Sequence, residues 1–478
     1  MNIIEHLKNN SEKYPNKIGF IGEDEELTFQ EMYERVENFS CLNILKNKKQ
    51  VVSLILNNSL SFIIAYLGII KAGKIAHIIP TNISENNFKN QIFSAEPGVV
   101  IYDDEKWKDF ANINNFDSSF NHIKDVILSS DIGKHVEEQN NIANLIYTSG
   151  TTSEPKGVPI SHDMIEFTSN NIIRILQYSR KDVDLTPLPL YHSFGLGCLY
   201  ASINIGSTFI LLKNGNDLEK ILDYINKFGV TTLAAVPPTL TQFLKYDQKF
   251  LADKFSNLRL IITNSTKIPK STVTSIKSIL KNGKFATYYG LTEASRSTFM
   301  IFNSNSNLDE SVGKQAKGIQ VRVEQLNNDS MIGEIWIKGM NVIKNYWKNP
   351  EADKNLINGW LRTGDIGYLD NEGHLFLKGR NDDIVNIGGE KVIPSEIEET
   401  LKQIPQIVDV VAFGIDNEIF GKIIKVFIVK KENSELNKTT ILSHCLKNLE
   451  KFKIPSKIEF VEKIPRNEYG KVKRTMLK

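Results

Sequence analysis

Cysteine is scarce in this sequence: three in 478 residues, Cys41, Cys198 and Cys445, far apart and without C-x-x-C spacing. Neither a disulfide framework nor a zinc site is indicated. An excess of one charge is also lacking, since 58 Lys and Arg against 56 Asp and Glu leave +2. Electrostatics therefore give no reason to expect nucleic acid or an anionic membrane as the main partner. The most apolar run, "FIIAYLGII" (Phe62 to Ile70), is stopped by Lys71 and is about half of what a bilayer crossing needs. It reads as a buried helix. The N-terminal "MNIIEHLKNNSEKYPNK" has no basic, apolar and small-residue progression, so export is not expected and the cytoplasm is the expected setting. No Gly-Lys pair is followed by Ser or Thr, which argues against a P-loop NTPase. Internal repeats and low-complexity tracts are missing too.

What is present is the texture of an enzyme-sized chain, too long for one ordinary domain. Apolar strand-like runs alternate with amphipathic helical patterns: "VVSLIL" at 51, "NLIYTS" at 144, "STFILL" at 207, "TTLAAV" at 231, "LRLIIT" at 258 and "KFATYYG" at 284. That alternation predicts an α/β fold with mostly parallel sheet, whose ligands sit at loops leaving the carboxyl ends of strands. From about Ser311 the strands shorten and the turns become Gly-rich, as in "GEIWIKG" and "GYLDNEGHLFLKGR", which predicts a small antiparallel element. After Arg380 a helix is expected to start at Pro394 and Ser395. "VVAFGI" and "KVFIVKK" are then expected to alternate with helices in a separate C-terminal domain of about a hundred residues.

The stretch "LIYTSGTTSEPKG" follows an apolar run with Thr148, Ser149, Gly150, Thr151, Thr152 and Ser153, and ends near Lys156. Hydroxyls, approachable backbone N–H groups and a mobile cation are the properties of a phosphate cradle. On composition alone, a solvated Ser/Thr-rich turn fits equally well.

The order of residues narrows this. "YTSGTTSEPKG" resembles the phosphate loop of the adenylate-forming (AMP-binding) superfamily, which includes acyl-CoA synthetases, peptide-synthetase adenylation domains and luciferases. The resemblance continues, in the family's order, through "YYGLTEAS", "GEIWIKG", "RTGDIGYLDNEG", "GRNDDIVNIGGEKVIPSEIE" and "PRNEYGKVKR" near the C-terminus. It implies an α/β fold with a large N-terminal domain of doubly wound sheets plus a small β-barrel-like element, residues 1–380. A small, mobile α+β C-terminal domain, residues 381–478, would carry a catalytic lysine.

It also implies ATP-dependent activation of a carboxylic acid to an acyl-adenylate with pyrophosphate release, then acyl transfer to a thiol. By resemblance, residues Thr148 to Lys156 hold the β- and γ-phosphates. Thr292 binds the α-phosphate, and Glu293 helps to hold Mg²⁺, which prefers oxygen ligands. Tyr289 stacks on adenine, beside Gly290 of the substrate pocket. Asp365 accepts from the ribose hydroxyls, as a two-oxygen acceptor can, and Arg380 reaches ribose or phosphate. Lys471 bridges the attacking carboxylate and the nucleotide. Asp382 matches the hinge about which relatives rotate the small domain; in the second arrangement Gly389 would give a pantetheine arm room to pass, with Lys391 near the AMP phosphate.

Amino-acid activators in the superfamily usually carry Phe-Asp-x-Ser before the acyl pocket; here the segment is "PLPLYHSFGLG" (Pro187 to Gly197). Without an acidic residue there, an α-ammonium group would be buried unpaired, which is costly. A fatty or aryl acid fits better, with His192 beside the pocket. Two departures stand out. Ser153 replaces a usual glycine, and "LIITNSTKIP" replaces the Gly-Gly-Ala stretch, so Asn264 and Ser265 are expected to narrow the acyl wall and add polar groups. The expected acceptor is CoA, with a carrier-protein phosphopantetheine as the alternative. A degraded nucleotide-binding homologue is the rival from another class. A serine hydrolase is disfavoured, because Ser193 lacks the Gly-x-Ser-x-Gly elbow.

Overall fold

The structure is a computed structural model that describes all residues except 115, 132–139, 149–154, 266–267, 303–305, 326–330, 388–389, 418–420, 433, 467–471, 473–476 and 478, and the side chains of 306, 390, 391 and 421. It is a mixed α/β protein with a large sheet-containing N-terminal part and a smaller α+β C-terminal part. Grouped by contacts, one unit comprises Met1–Val321 and Ile337–Leu361, the other Arg322–Trp336 and Arg362–Lys478. The expected junction at 380/381 falls inside the second of these.

In the first unit, one sheet runs in the spatial order Ser119–His122, Val99–Tyr102, Val51–Ile55, Ile75–Ile78, Ile142–Thr148 and Lys156–Ser161. Its pairings are parallel except the last. Val51–Ile55 is buried at every position, as a parallel strand covered on both faces must be, hence its unbroken apolar run. The apolar stretch that follows forms the helix Leu60–Lys71, buried from Phe62 to Ile70 and capped by the Ser59 hydroxyl, which accepts from Phe62 N at 3.1 Å.

A second run of strands in this unit has the spatial order Glu26–Thr28, Ile18–Ile21, Thr208–Leu211, Val183–Thr186, Thr232–Ala234, Leu260–Thr263, Lys284–Leu291, Ala294–Phe302 and Ser311–Gln315. Ile18–Ile21 through Lys284–Leu291 are parallel, and the order turns antiparallel at both ends. The turn after Lys284–Leu291 therefore leaves the carboxyl end of the last parallel strand, where ligands gather in such folds.

In the second unit, strands Trp360–Leu369 and Leu375–Arg380 pair antiparallel, with Asp365 opposite Arg380. Pro394 opens the helix Pro394–Leu401 at its first turn, where its missing N–H costs nothing. Strands Ile407–Asn417 and Gly421–Lys430 pair directly, antiparallel and in register from Asn417 and Gly421 outward. This corrects the expected alternation with helices: the few residues between them are too short for one. A single apolar core joins these strands to helices Pro394–Leu401 and Lys438–Asn448 through Ile397, Leu401, Val426, Ile441 and Cys445. No helix among the described residues is long and apolar enough to cross a membrane.

Candidate active site

The phosphate-loop segment is bounded by two strands that hold its ends together. Thr148 closes Ile142–Thr148, Lys156 opens Lys156–Ser161, and the two are cross-strand partners. Whatever path the residues between them take, the hydroxyl of Thr148 and the stem of Lys156 start side by side. Ser149, Gly150, Thr151 and Thr152 lie outside the described residues.

Thr292 and Glu293 form the tight turn between Lys284–Leu291 and Ala294–Phe302, whose flanking pair is Leu291 with Ala294. Gly290 makes the turn feasible: a Cβ there would lie 2.7 Å from the Ala294 carbonyl oxygen, closer than real contacts allow. The turn carries the Glu293 carboxylate to Thr148, whose hydroxyl donates to Oε1 at 3.5 Å, and to Tyr346, whose hydroxyl donates to the same oxygen at 3.3 Å. Glu293 is also tied through its backbone, accepting from Ile343 N at 3.0 Å. The Lys156 ammonium lies 5.8 Å from the centre of the Tyr346 ring. Thr148, Lys156, Thr292 and Glu293, far apart in sequence, are thus brought together around one carboxylate. Tyr346 was not anticipated; its segment "NVIKNYWKNP" reads as a polar loop, and only the fold shows its hydroxyl aimed at Glu293.

Tyr288 and Tyr289 are adjacent on one strand and therefore face opposite sides of the sheet. Both are buried. Tyr288 packs on Phe194 at 5.4 Å between ring centres and beneath the Arg296 guanidinium at 4.7 Å, and burial pushes its hydroxyl up to about 12. Tyr289 presents its ring to the other face.

A cavity of about 30 Å³ is walled mainly by apolar side chains, among them Ile146, Met164 and Leu196, with Asn144, Thr292 and Arg296 also lining it. His192, Asn264, Ser265 and Gly290 are not among the residues that line it. His192 precedes the helix Ser193–Ile205, its ring 4.7 Å from that of Tyr191. Asn264 and Ser265 follow the strand Leu260–Thr263; Ser265 is exposed and keeps φ at 91°, a conformation suited to glycine.

In the second unit, Arg380 Nη1 donates to Asp365 Oδ1 at 2.9 Å. Asp382 is exposed in the single turn Asn381–Asp383 directly after that strand. Lys391 pairs by its backbone with Asn386. Gly389 and Lys471 lie outside the described residues.

Among the described residues no group of three or more His, Cys, Asp or Glu side chains could hold a metal. Mg²⁺ does not need one: it is held by one or two carboxylates with substrate phosphates and water. Glu293, with two hydroxyls beside it, fits that demand.

Residues 7–347 match the family described as AMP-binding enzyme, and residues 396–471 match the AMP-binding enzyme C-terminal domain. Acyl-CoA synthetase 7 of Caenorhabditis elegans is 28% identical over 521 residues, covering 100% of this chain and 95% of the relative. ATP-bound MatB from Rhodopseudomonas palustris superposes with a TM-score of 0.90 at 25% identity, over 100% of this chain and 98% of that one. The o-succinylbenzoate CoA synthetase of Bacillus subtilis, solved with its acyl-adenylate intermediate, gives 0.87 at 26% identity, over 99% and 97% of the two chains. The same enzyme has been solved with ATP and magnesium ion. Two family matches that together take in both ends of the molecule, on a fold shared along its whole length, establish that this chain belongs to the AMP-binding enzyme family.

Proposed function

We propose that the protein is an acid–thiol ligase that activates a carboxylic acid with ATP and passes the acyl group to CoA. In the first step a carboxylate oxygen bonds to the α-phosphorus while the α–β anhydride bond breaks and pyrophosphate leaves. In the second, the thiol attacks the acyl carbon and AMP departs. The observation that carries this reading is the Glu293 carboxylate, held by Thr148 and Tyr346 at the mouth of the phosphate-loop segment.

The chemical obstacle is attack by one anion on a polyanion, which calls for cations and donors placed where charge gathers. We assign the β- and γ-phosphates to Thr148, Ser149, Gly150, Thr151, Thr152 and Lys156, and the α-phosphate to Thr292. Glu293 would hold Mg²⁺, which would neutralise charge on the phosphates. Tyr289 takes adenine and Asp365 the ribose, with Arg380 steadying that carboxylate and reaching the nucleotide. Lys471 bridges the two reacting anions. A functional boundary at 380/381, with Asp382 as hinge, lets Lys471 retire and brings Gly389 and Lys391 to the thiol step. The absence of an acidic residue in "PLPLYHSFGLG" disfavours amino acids and favours a fatty or aryl acid, with His192, Gly290, Asn264 and Ser265 around its pocket. We place the protein in the cytoplasm, where ATP and CoA are at hand.

Carboxylate-dependent ATP–pyrophosphate exchange tests the reaction. Exchange with a non-amino acid, followed by thioester formation with CoA, is expected; turnover only with a carrier-bound pantetheine would reassign the acceptor. Lys471→Ala should abolish exchange yet spare thioester formation from supplied acyl-AMP. Equal loss of both half-reactions would refute the two-arrangement role.

A further inference from the structure

Arg296 is the least expected residue near this site. It follows Glu293 by three positions and is 3% exposed. Its Nη1 donates to the Ser193 carbonyl and to Ser295 Oγ, each at 3.0 Å, and its Nη2 to the Phe194 carbonyl at 2.9 Å. All of these acceptors are neutral. Nε is buried without a partner, and among the described residues no carboxylate forms an ion pair with this guanidinium. An uncompensated buried charge costs several kcal/mol. The same fold shows the alternative, for Arg259 grips Asp182 with two nitrogens at 2.6 Å.

Arg296 lines the same cavity as Thr292, which ties that cavity to the reacting end of the site. A second orphan faces the region: Asn144 Oδ1 is buried and unpartnered, although Asn144 Nδ2 donates to the hydroxyls of Tyr66 at 3.0 Å and Tyr200 at 2.8 Å. Gly197 leaves the space that Arg296 fills; a Cβ there would collide with the guanidinium. The cavity, about 30 Å³, has room for a carboxylate or about two waters.

We propose that Arg296 is a specificity residue, and that the acid this protein activates carries a second anionic group, a distal carboxylate, which pairs with Arg296 while the reacting carboxylate lies by Thr292. The proposal rests on the acid-activating reading above and narrows its fatty or aryl acid to one that bears a second carboxylate. A planar guanidinium recognises a carboxylate geometrically as well as by charge, which a lysine does less well. The substrate then supplies the counter-ion that the fold withholds.

The test is ATP–pyrophosphate exchange with sets of equal chain length from four to eight carbons: the monocarboxylic acid, the α,ω-dicarboxylic acid and its monomethyl ester. With the wild-type protein, kcat/KM for at least one dicarboxylic acid should exceed that of both neutral-tailed partners by at least about 100-fold. Arg296→Leu should bring that ratio down by a similar factor, and Arg296→Lys should recover part of it. A wild-type preference for neutral tails at every length would overturn the proposal, and so would a ratio that Arg296→Leu does not move. The comparison of acid with ester uses the wild-type protein alone, so it decides the matter even if the leucine variant does not fold. Exchange with monocarboxylic acids only would leave the ligase reading standing and sink this one; silence with every acid, amino acids included, would sink both.

Discussion

Arg259 and Arg296 lie in the same unit, and among the described residues one has a carboxylate partner and the other has none. Arg259 is matched: Asp182 receives its Nε and Nη2, the Thr231 hydroxyl at 2.8 Å and the Ser179 N–H at 2.7 Å. Burial pushes the Asp182 carboxyl up, but these bonds outweigh it and hold the group below its ordinary range. Arg296 is more deeply buried and meets carbonyls, a hydroxyl, the Cys198 thiol and a tyrosine face, with no carboxylate among the described residues. A protein that pairs a half-buried arginine in one place and leaves a fully buried one without its anion has kept the second for something that arrives from outside.

The strongest way to break this comparison is to remove both cations. Arg259→Leu would strand the Asp182 carboxylate, and is expected to cost about 3 kcal/mol. Arg296→Leu should cost no more than about 1 kcal/mol, because losing hydrogen bonds to carbonyls is offset by relief of an unpaired buried charge. Urea denaturation of both variants measures this; equal losses would mean that Arg296 is structural after all.

A second measurement sharpens the matched side. Asp184, two residues beyond Asp182, is fully buried. It accepts from Thr232 at 2.8 Å, Ser202 at 3.3 Å and Tyr178 at 3.4 Å, and burial pushes its carboxyl up to about 7. Between about pH 4 and 7 the folded protein keeps a proton that the unfolded chain has released, so stability falls as pH rises through this window. From pH 5 to pH 8 the loss from this group should be about 2 to 3 kcal/mol. Asp184→Asn should abolish that part of the slope in denaturation at the two pH values; an unaltered slope would mean that the group is already ionised at pH 5.

The smallest expected effect concerns strain on the open side. Arg296 holds φ at 55° and Ser265 at 91°, whereas Asp182, Asp184 and Arg259 are absent from the positive-φ residues. Ser265→Gly should therefore stabilise the protein by about 1 kcal/mol, read as a shift in the denaturation midpoint. No gain would show that Ser265 is not strained.

Much of the fold could be read in advance because its signals are local. The runs at 51, 144, 207, 231, 258 and 284 became strands since a parallel strand covered on both faces must be apolar throughout. The direct pairing of Ile407–Asn417 with Gly421–Lys430 was missed because a strand's partner is not a property of the strand. The site divides in the same way. "YYGLTE" marks Thr292 and Glu293 by their order in the chain, but nothing in "NVIKNYWKNP" marks Tyr346, and "EASRS" reads as a polar run in which an arginine would be solvated.

By itself, then, the sequence determined the α/β alternation, the buried helix at Phe62–Ile70 and the family resemblance. These depend on residue type and spacing along the chain. The tertiary structure alone decided that Tyr346 reaches Glu293, that Ser265 keeps a glycine-like backbone and that Arg296 lies buried beside Thr292 without a carboxylate. Burial and the choice of partner are set by residues distant in the chain, and electrostatic energy depends on both.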